Sequence, residues 1–243
     1  MDHSVVLLLI GGFAVFVGAL VQGGVGFGMG LVAAPLLTLL DPTAMPGTIM
    51  IVNAAMPLFT LAAEWRRVDW RGLGFAVLGR LPGSVIGGFV VVYVSTSTLG
   101  VAVGVMVLVA VVLTARAMAV PRNGVTLSAA GFLSGVTGTA TGIGGPPIAL
   151  VYQSARGPQI RATLAMFFFL SALQSIAVLA ALGLMPPRVL GAGALLIPFV
   201  VAGFAASGPL RRYLDGGRVR LAVLCVAALS ACVLLVQSLS GSH

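Results

Sequence analysis

The sequence contains no lysine and few charges of any kind. Thirteen arginines and five acids supply its 7% charged residues over 243 positions, against about 25% in an average soluble domain. That scarcity excludes an ordinary soluble globule. Disorder needs few apolar residues and many charges, so a hydrophobic share of 59% and a mean hydropathy of +1.15 exclude it as well. The acids Asp2, Asp41, Glu64, Asp69 and Asp215 all lie near the ends of apolar runs. No carboxylate or histidine sits inside a long run, so a buried proton relay of the kind found in coupled pumps is not evident. No metal cluster and no cofactor motif is present. Without a Walker loop, direct use of ATP is not expected. The two cysteines, Cys225 and Cys232, stand about 10 Å apart along one helix axis, too far for a disulfide, and read as small apolar fillers. The N-terminal run lacks a basic region and carries Asp2, which predicts a retained membrane helix rather than a cleaved leader.

What the sequence does have is arginine between apolar runs, giving a net charge of +8. This is the pattern of membrane topology, not of nucleic-acid binding. A spanning helix needs about 20 mostly apolar residues. Candidates are 5–22, 47–64, 72–94, 98–119, 125–140, 160–183, 188–208 and 218–238, with shorter apolar pieces at 28–40 and 147–155. Each short piece follows a glycine-rich break, GGVGFG at 23–28 and GIGG at 142–145. Such breaks free backbone polar groups at membrane depth, which is tolerated only where protein or water covers them.

The order of features occurs twice: helix, glycine break, short helix, three long helices. Gly24-Val25-Gly26 pairs with Gly142-Ile143-Gly144, and Pro82 and Gly87 pair with Pro198 and Gly203. This predicts a duplication, with repeats over 1–122 and 123–243. If each helix–break–helix unit crossed the membrane once, the loop arginines would divide equally between the two faces. If each unit is a hairpin that enters and leaves on one side, all but Arg188 share a face, as the positive-inside rule asks. Each half then crosses three times, so the halves are inverted, both termini are periplasmic and the arginine-rich loops are cytoplasmic. The expected fold is therefore an all-α polytopic membrane protein of two inverted repeats, each with a re-entrant broken-helix hairpin and three long helices, the plan of secondary transporters. It sits in the cytoplasmic (inner) membrane, and association into a homo-oligomer is open.

The hairpin tips are the candidate site. Glycine lets a ligand approach the backbone, and a helix N-terminus presents free N–H groups and partial positive charge. A small anion held between two such termini would touch Gly23, Gly24, Gly26 and Gly28 of the first break and Gly142, Gly144, Gly145 and Pro146 of the second. Gln22, Thr139 and Thr141 flank the breaks as donors, and Asn53 lies in a neighbouring apolar run. Arg80 is the one charge within a long run, at a cost of at least ~2.5 kcal/mol unless paired or hydrated. It either faces the pore as an anion-attracting group or snorkels to the interface. Scattered glycines such as Gly11, Gly12, Gly100 and Gly104 read instead as close helix packing.

A glycine-rich break followed by proline, occurring twice, with GIGGPP in the second copy, resembles the TauE/SafE sulfite-exporter family. The run AAEWRRVDW from Ala62 to Trp70 is similar to a loop of that family with a basic pair and an aspartate-tryptophan. The resemblance covers nearly the whole chain. It implies transport of sulfite, thiosulfate, sulfonates or other small organic anions, and export as the direction. No cysteine lies at either break, so a cysteine relay of thiosulfate is not expected. The alternatives are a passive anion channel of the same architecture and a non-transport assembly subunit. A membrane enzyme would need His, Asp, Glu or Cys clusters that the sequence lacks.

Overall fold

A computed structural model describes residues 7–115, 120–153, 155–214 and 217–240. Among these residues there are helices and turns and no strand. The chain begins with a π-helical turn, Leu7–Gly11, that runs into α1 (Gly12–Val25). It continues through α2 (Met29–Leu40), α3 (Gly47–Glu64), α4 (Trp70–Tyr93) and α5 (Thr96–Ala115). The second half holds α6 (Gly124–Thr141), α7 (Gly145–Tyr152), α8 (Gly157–Ala181), α9 (Pro187–Leu214) and α10 (Gly217–Ser240).

The helix ends follow local chemistry. Asn123 caps α6 by accepting from the Thr126 N–H at 2.9 Å, while its own N–H donates to Thr126 Oγ1 at 3.2 Å, the reciprocal pattern of a capping box. Asp69 accepts from the Gly72 N–H at the start of α4. Both α1 and α6 stop at a left-handed glycine, Gly26 at φ +97° and Gly142 at φ +81°. The N–H of each closes on a carbonyl four residues back, Gln22 and Gly138. Only glycine takes this conformation at low cost.

These ends correct the expected breaks. Gly23, Gly24 and Val25 are helical, so the first break is Gly26-Phe27-Gly28 rather than 23–28. The second is Gly142-Ile143-Gly144, with Gly145 already in α7. The matching tripeptides are therefore 26–28 and 142–144, a spacing of 116, and the pairing of Gly24-Val25-Gly26 is displaced by two residues. The physical reason is packing. A Cβ at Gly23 would stand 2.2 Å from Ser207 Oγ, so this glycine admits a neighbouring helix and does not break its own.

At each break the chain doubles back. Met29 lies against Gly18, where a Cβ would meet the Met29 carbonyl oxygen at 3.0 Å. Ser134 Oγ donates to the Gly144 carbonyl at 2.6 Å. The start of α6 and the end of α7 meet again at the far end of their hairpin, where the Arg122 guanidinium lies 5.6 Å from the Tyr152 ring centre.

Packing pairs helices across the halves. α4 lies on α6 and α9 on α1; α3 lies on α8 and α5 on α10; α3 touches α9 as α8 touches α4. Exchanging the halves maps this set of contacts onto itself. The α4–α6 contact runs backbone against backbone. Cβ atoms at Gly79, Gly83 and Gly131 would stand 2.2, 2.2 and 2.0 Å from the carbonyl oxygens of Ser128, Phe132 and Ala76. Small residues at every fourth position allow such approach where no hydrophobic drive exists between helices.

Four helical stretches among the described residues are long and apolar enough to cross a membrane: Gly47–Arg67, Trp70–Tyr93, Gly157–Ala181 and Pro187–Gly208. Large apolar side chains such as Leu78, Ile86, Phe89 and Leu195 are exposed on their outer faces. A soluble monomer rarely shows so extensive an apolar surface; a lipid-facing surface requires it. Cys225 and Cys232 are exposed on α10 and are not core fillers. Of the expected loop arginines, Arg116 lies outside the described residues, as do the side chains of Arg211, Arg212, Arg218 and Arg220.

Candidate functional site

A cavity of about 50 Å³ lies where the two breaks meet α3, α4 and α8. That is room for a few waters or one small oxyanion. The breaks interleave: a Cβ at Gly30, in the first turn of α2, would stand 2.9 Å from the Gly142 carbonyl oxygen, and one at Gly145, opening α7, would lie 3.9 Å from Phe27 Cβ.

Eight of the thirteen expected residues line the cavity: Gln22, Gly28, Asn53, Arg80, Gly142, Gly144, Gly145 and Pro146. The other five do not. Gly23 faces Ser207, and Gly24 is within α1. Gly26 turns its α-carbon toward Arg161. Thr141 Oγ1 donates to the Thr137 carbonyl and accepts from the Ile143 N–H, steadying its own turn. Thr139 bonds Ser175 Oγ at 2.8 Å and so acts at one remove.

Arg80 is the centre of the charge distribution. It is only 2% exposed, and its side chain turns inward. Nη1 donates to Gln174 Oε1 at 3.2 Å and Nη2 to Ser175 Oγ at 3.0 Å. Nε has no partner. The ion pairs among the described residues are Arg161–Glu64 at 2.8 Å and Arg188–Asp41 at 3.4 Å, and neither involves Arg80. A buried cation held only by neutral acceptors leaves most of its desolvation cost uncompensated. An anion in the cavity would supply the missing charge, since guanidinium contacts to oxyanions are the strong charge-assisted kind.

The helix termini contribute fewer donors than their sequence suggests. The Met29 N–H is already taken by Gln22 Oε1 at 3.1 Å, and the Leu31 N–H by the Gly28 carbonyl. Pro146 and Pro147, in the first turn of α7, carry no N–H. Asn53 Nδ2 donates to the Gly142 carbonyl at 3.3 Å and so braces the second tip. The positive end of the site therefore rests mainly on Arg80.

Sequence reading missed Phe27, Met50, Ser134, Gly138, Phe168 and Ser171 as lining residues. Ser171 Oγ is buried without a partner. A signal existed: Met50 and Asn53 of α3 stand 118 residues before Phe168 and Ser171 of α8, and all four line the cavity. Gly138 is held small by Arg80, because a Cβ there would stand 3.1 Å from Nη2.

Among the described residues, Arg66, Arg67, Arg122 and Arg161 gather at one end of the molecule. Arg161 bonds Glu64, the Asp69 N–H donates to Thr163 Oγ1 at 3.0 Å, and Tyr152 donates to Asp69 Oδ2 at 3.1 Å. These contacts bring the ends of α3 and α7 together with the starts of α4 and α8. Arg188 instead meets Asp41 and Thr43 beside the start of α3, about 27 Å away by helix rise.

No solved structure matches the chain. A curated relative from Cupriavidus necator, described as a probable sulfite/organosulfonate exporter, is 27% identical over 165 residues. That match covers 62% of this chain and 63% of the relative, so the chain spans under two thirds of the relative's length. The family model described as sulfite exporter TauE/SafE matches residues 10–234. The match over nearly the full length places this membrane protein in the TauE/SafE family of transporters.

Proposed function

We propose that the protein is a secondary transporter that exports small sulfur-containing or organic anions, sulfite or sulfonates in class, across the cytoplasmic membrane. The substrate is held between the two glycine breaks and exposed to each side in turn. The observation that carries this reading is Arg80: a buried, carboxylate-free cation lining a cavity of oxyanion size. The name of the Cupriavidus relative supports the substrate class.

Residues 1–122 and 123–243 form inverted repeats in this reading. The exchange of helix contacts between halves and the doubling back at both breaks support it. The clustering of Arg161 with the α3–α4 turn, which carries Arg66 and Arg67, supports hairpins over single crossings. By the positive-inside rule that end is cytoplasmic, and both termini are periplasmic. With the cytoplasm negative, each exported negative charge gains about 2.3 kcal/mol per 100 mV, enough to drive export without a proton relay.

The test is anion flux in proteoliposomes under an imposed voltage, comparing sulfite, sulfoacetate, sulfate and acetate. Saturable, voltage-sensitive flux with counterflow is the expected result. Flux that never saturates and shows no counterflow identifies a channel. No flux from folded protein contradicts the proposal.

A further inference from the structure

We infer that the cavity accepts its substrate as a monoanion, so that sulfite crosses as hydrogen sulfite. The inference rests on the transport reading above and deepens it. Among the described residues, Arg80 is the one charged residue lining the cavity. Two of its nitrogens are already committed to Gln174 and Ser175, which leaves the unpartnered Nε–H among the donors open to a ligand. Ser171 Oγ adds a second buried, unpartnered group, and it is neutral. Phe27, Met50 and Phe168 close the walls with apolar surface.

One guanidinium balances one negative charge. A monoanion makes the loaded site neutral, whereas a dianion leaves a net charge in a site whose other lining side chains, Gln22, Asn53, Ser134 and Ser171 included, are neutral. Unpaired charge in such surroundings is strongly disfavoured. The protein has no means of lending a proton here. Among the described residues, no Asp, Glu or His faces Arg80 from α1, α3, α6 or α8. The charged groups on those helices are Glu64 and Arg161, and they pair with each other. Any pH dependence near neutrality must therefore come from the substrate, and sulfite takes up its proton in that range.

The experiment measures initial flux at subsaturating concentration in proteoliposomes, with equal pH on both sides and protein-free vesicles subtracted. Sulfite is compared with methanesulfonate, always a monoanion, and with sulfate, a dianion throughout. Sulfite flux should fall on the order of tenfold from pH 6 to pH 8, following one decade per pH unit beyond its ionisation. Methanesulfonate flux should stay within twofold, and sulfate should neither cross nor compete. Sulfite flux that is level or rises with pH overturns the inference while leaving transport standing, as does sulfate that competes as well as methanesulfonate. A fall shared by methanesulfonate also overturns it, because the titrating group would then be in the protein. Absence of flux for all three anions overturns the transport reading, and the inference falls with it.

Discussion

Replacing Gly142 by alanine tests whether the second tip is seated as described. Its φ of +81° costs a non-glycine residue roughly 1–2 kcal/mol. The new methyl would also stand 2.5 Å from Ile49 Cγ2. Ile49 is fully buried, so the overlap cannot be relieved by a rotation into open space. Overpacking of that kind costs about 1–3 kcal/mol. Gly142→Ala should therefore lose roughly 2–5 kcal/mol in total. The two contributions separate in a double-mutant cycle with Ile49→Ala. That change alone costs about 2–5 kcal/mol through its cavity, but it removes the atom the methyl strikes. The double variant should be less destabilised than the sum of the singles by about 1–3 kcal/mol, with the backbone cost remaining. The assay is reversible unfolding in mixed micelles, read by circular dichroism. Additivity to within about 0.5 kcal/mol would refute the contact between tip and α3.

Further outcomes follow from the same geometry. Ser175→Ala removes one acceptor of Arg80 and the partner of Thr139. It should weaken apparent affinity for the anion about 3- to 10-fold, in keeping with one lost hydrogen bond of about 1 kcal/mol, at little cost to insertion; unchanged saturation curves would contradict the positioning role. Gly83→Val should prevent α4 from meeting α6, since a Cβ already stands 2.2 Å from the Phe132 carbonyl oxygen. The expected readout is loss of a monodisperse species in size-exclusion chromatography, whereas Gly74→Val, with open space around it, should behave as the parent.

Much of this fold is written in glycine and proline spacing, because a broken helix must spend residues that can leave the helical conformation. The breaks are offset by two residues for an informative reason. Gly23 and Gly24 look like breakers in sequence, yet the space Gly23 leaves is filled by Ser207, on a helix far along the chain. The two uses of glycine look identical until the partner helix is known. Thr139 and Thr141 present the same difficulty. They stand two apart on one helix and point to different faces, one to Ser175 and one to its own preceding turn. Arg80 was ambiguous between pore and interface because its partners lie 94 and 95 residues away. The matched pairs Met50–Phe168 and Asn53–Ser171 were legible in principle, but their spacing of 118 differs from the 116 that relates the breaks, which hides the correspondence.

The central claim is that the buried guanidinium of Arg80 holds the transported anion. Its most direct test is saturable sulfite and methanesulfonate flux in proteoliposomes carrying the parent protein, Arg80→Gln or Arg80→Lys at equal, verified insertion. A charged hydrogen bond contributes about 1.5–3 kcal/mol, so Arg80→Gln should lose roughly 10- to 150-fold in flux at low substrate. Arg80→Lys keeps the charge but loses the planar fork, and should fall between the two. Parent-like flux from correctly inserted Arg80→Gln would contradict the account.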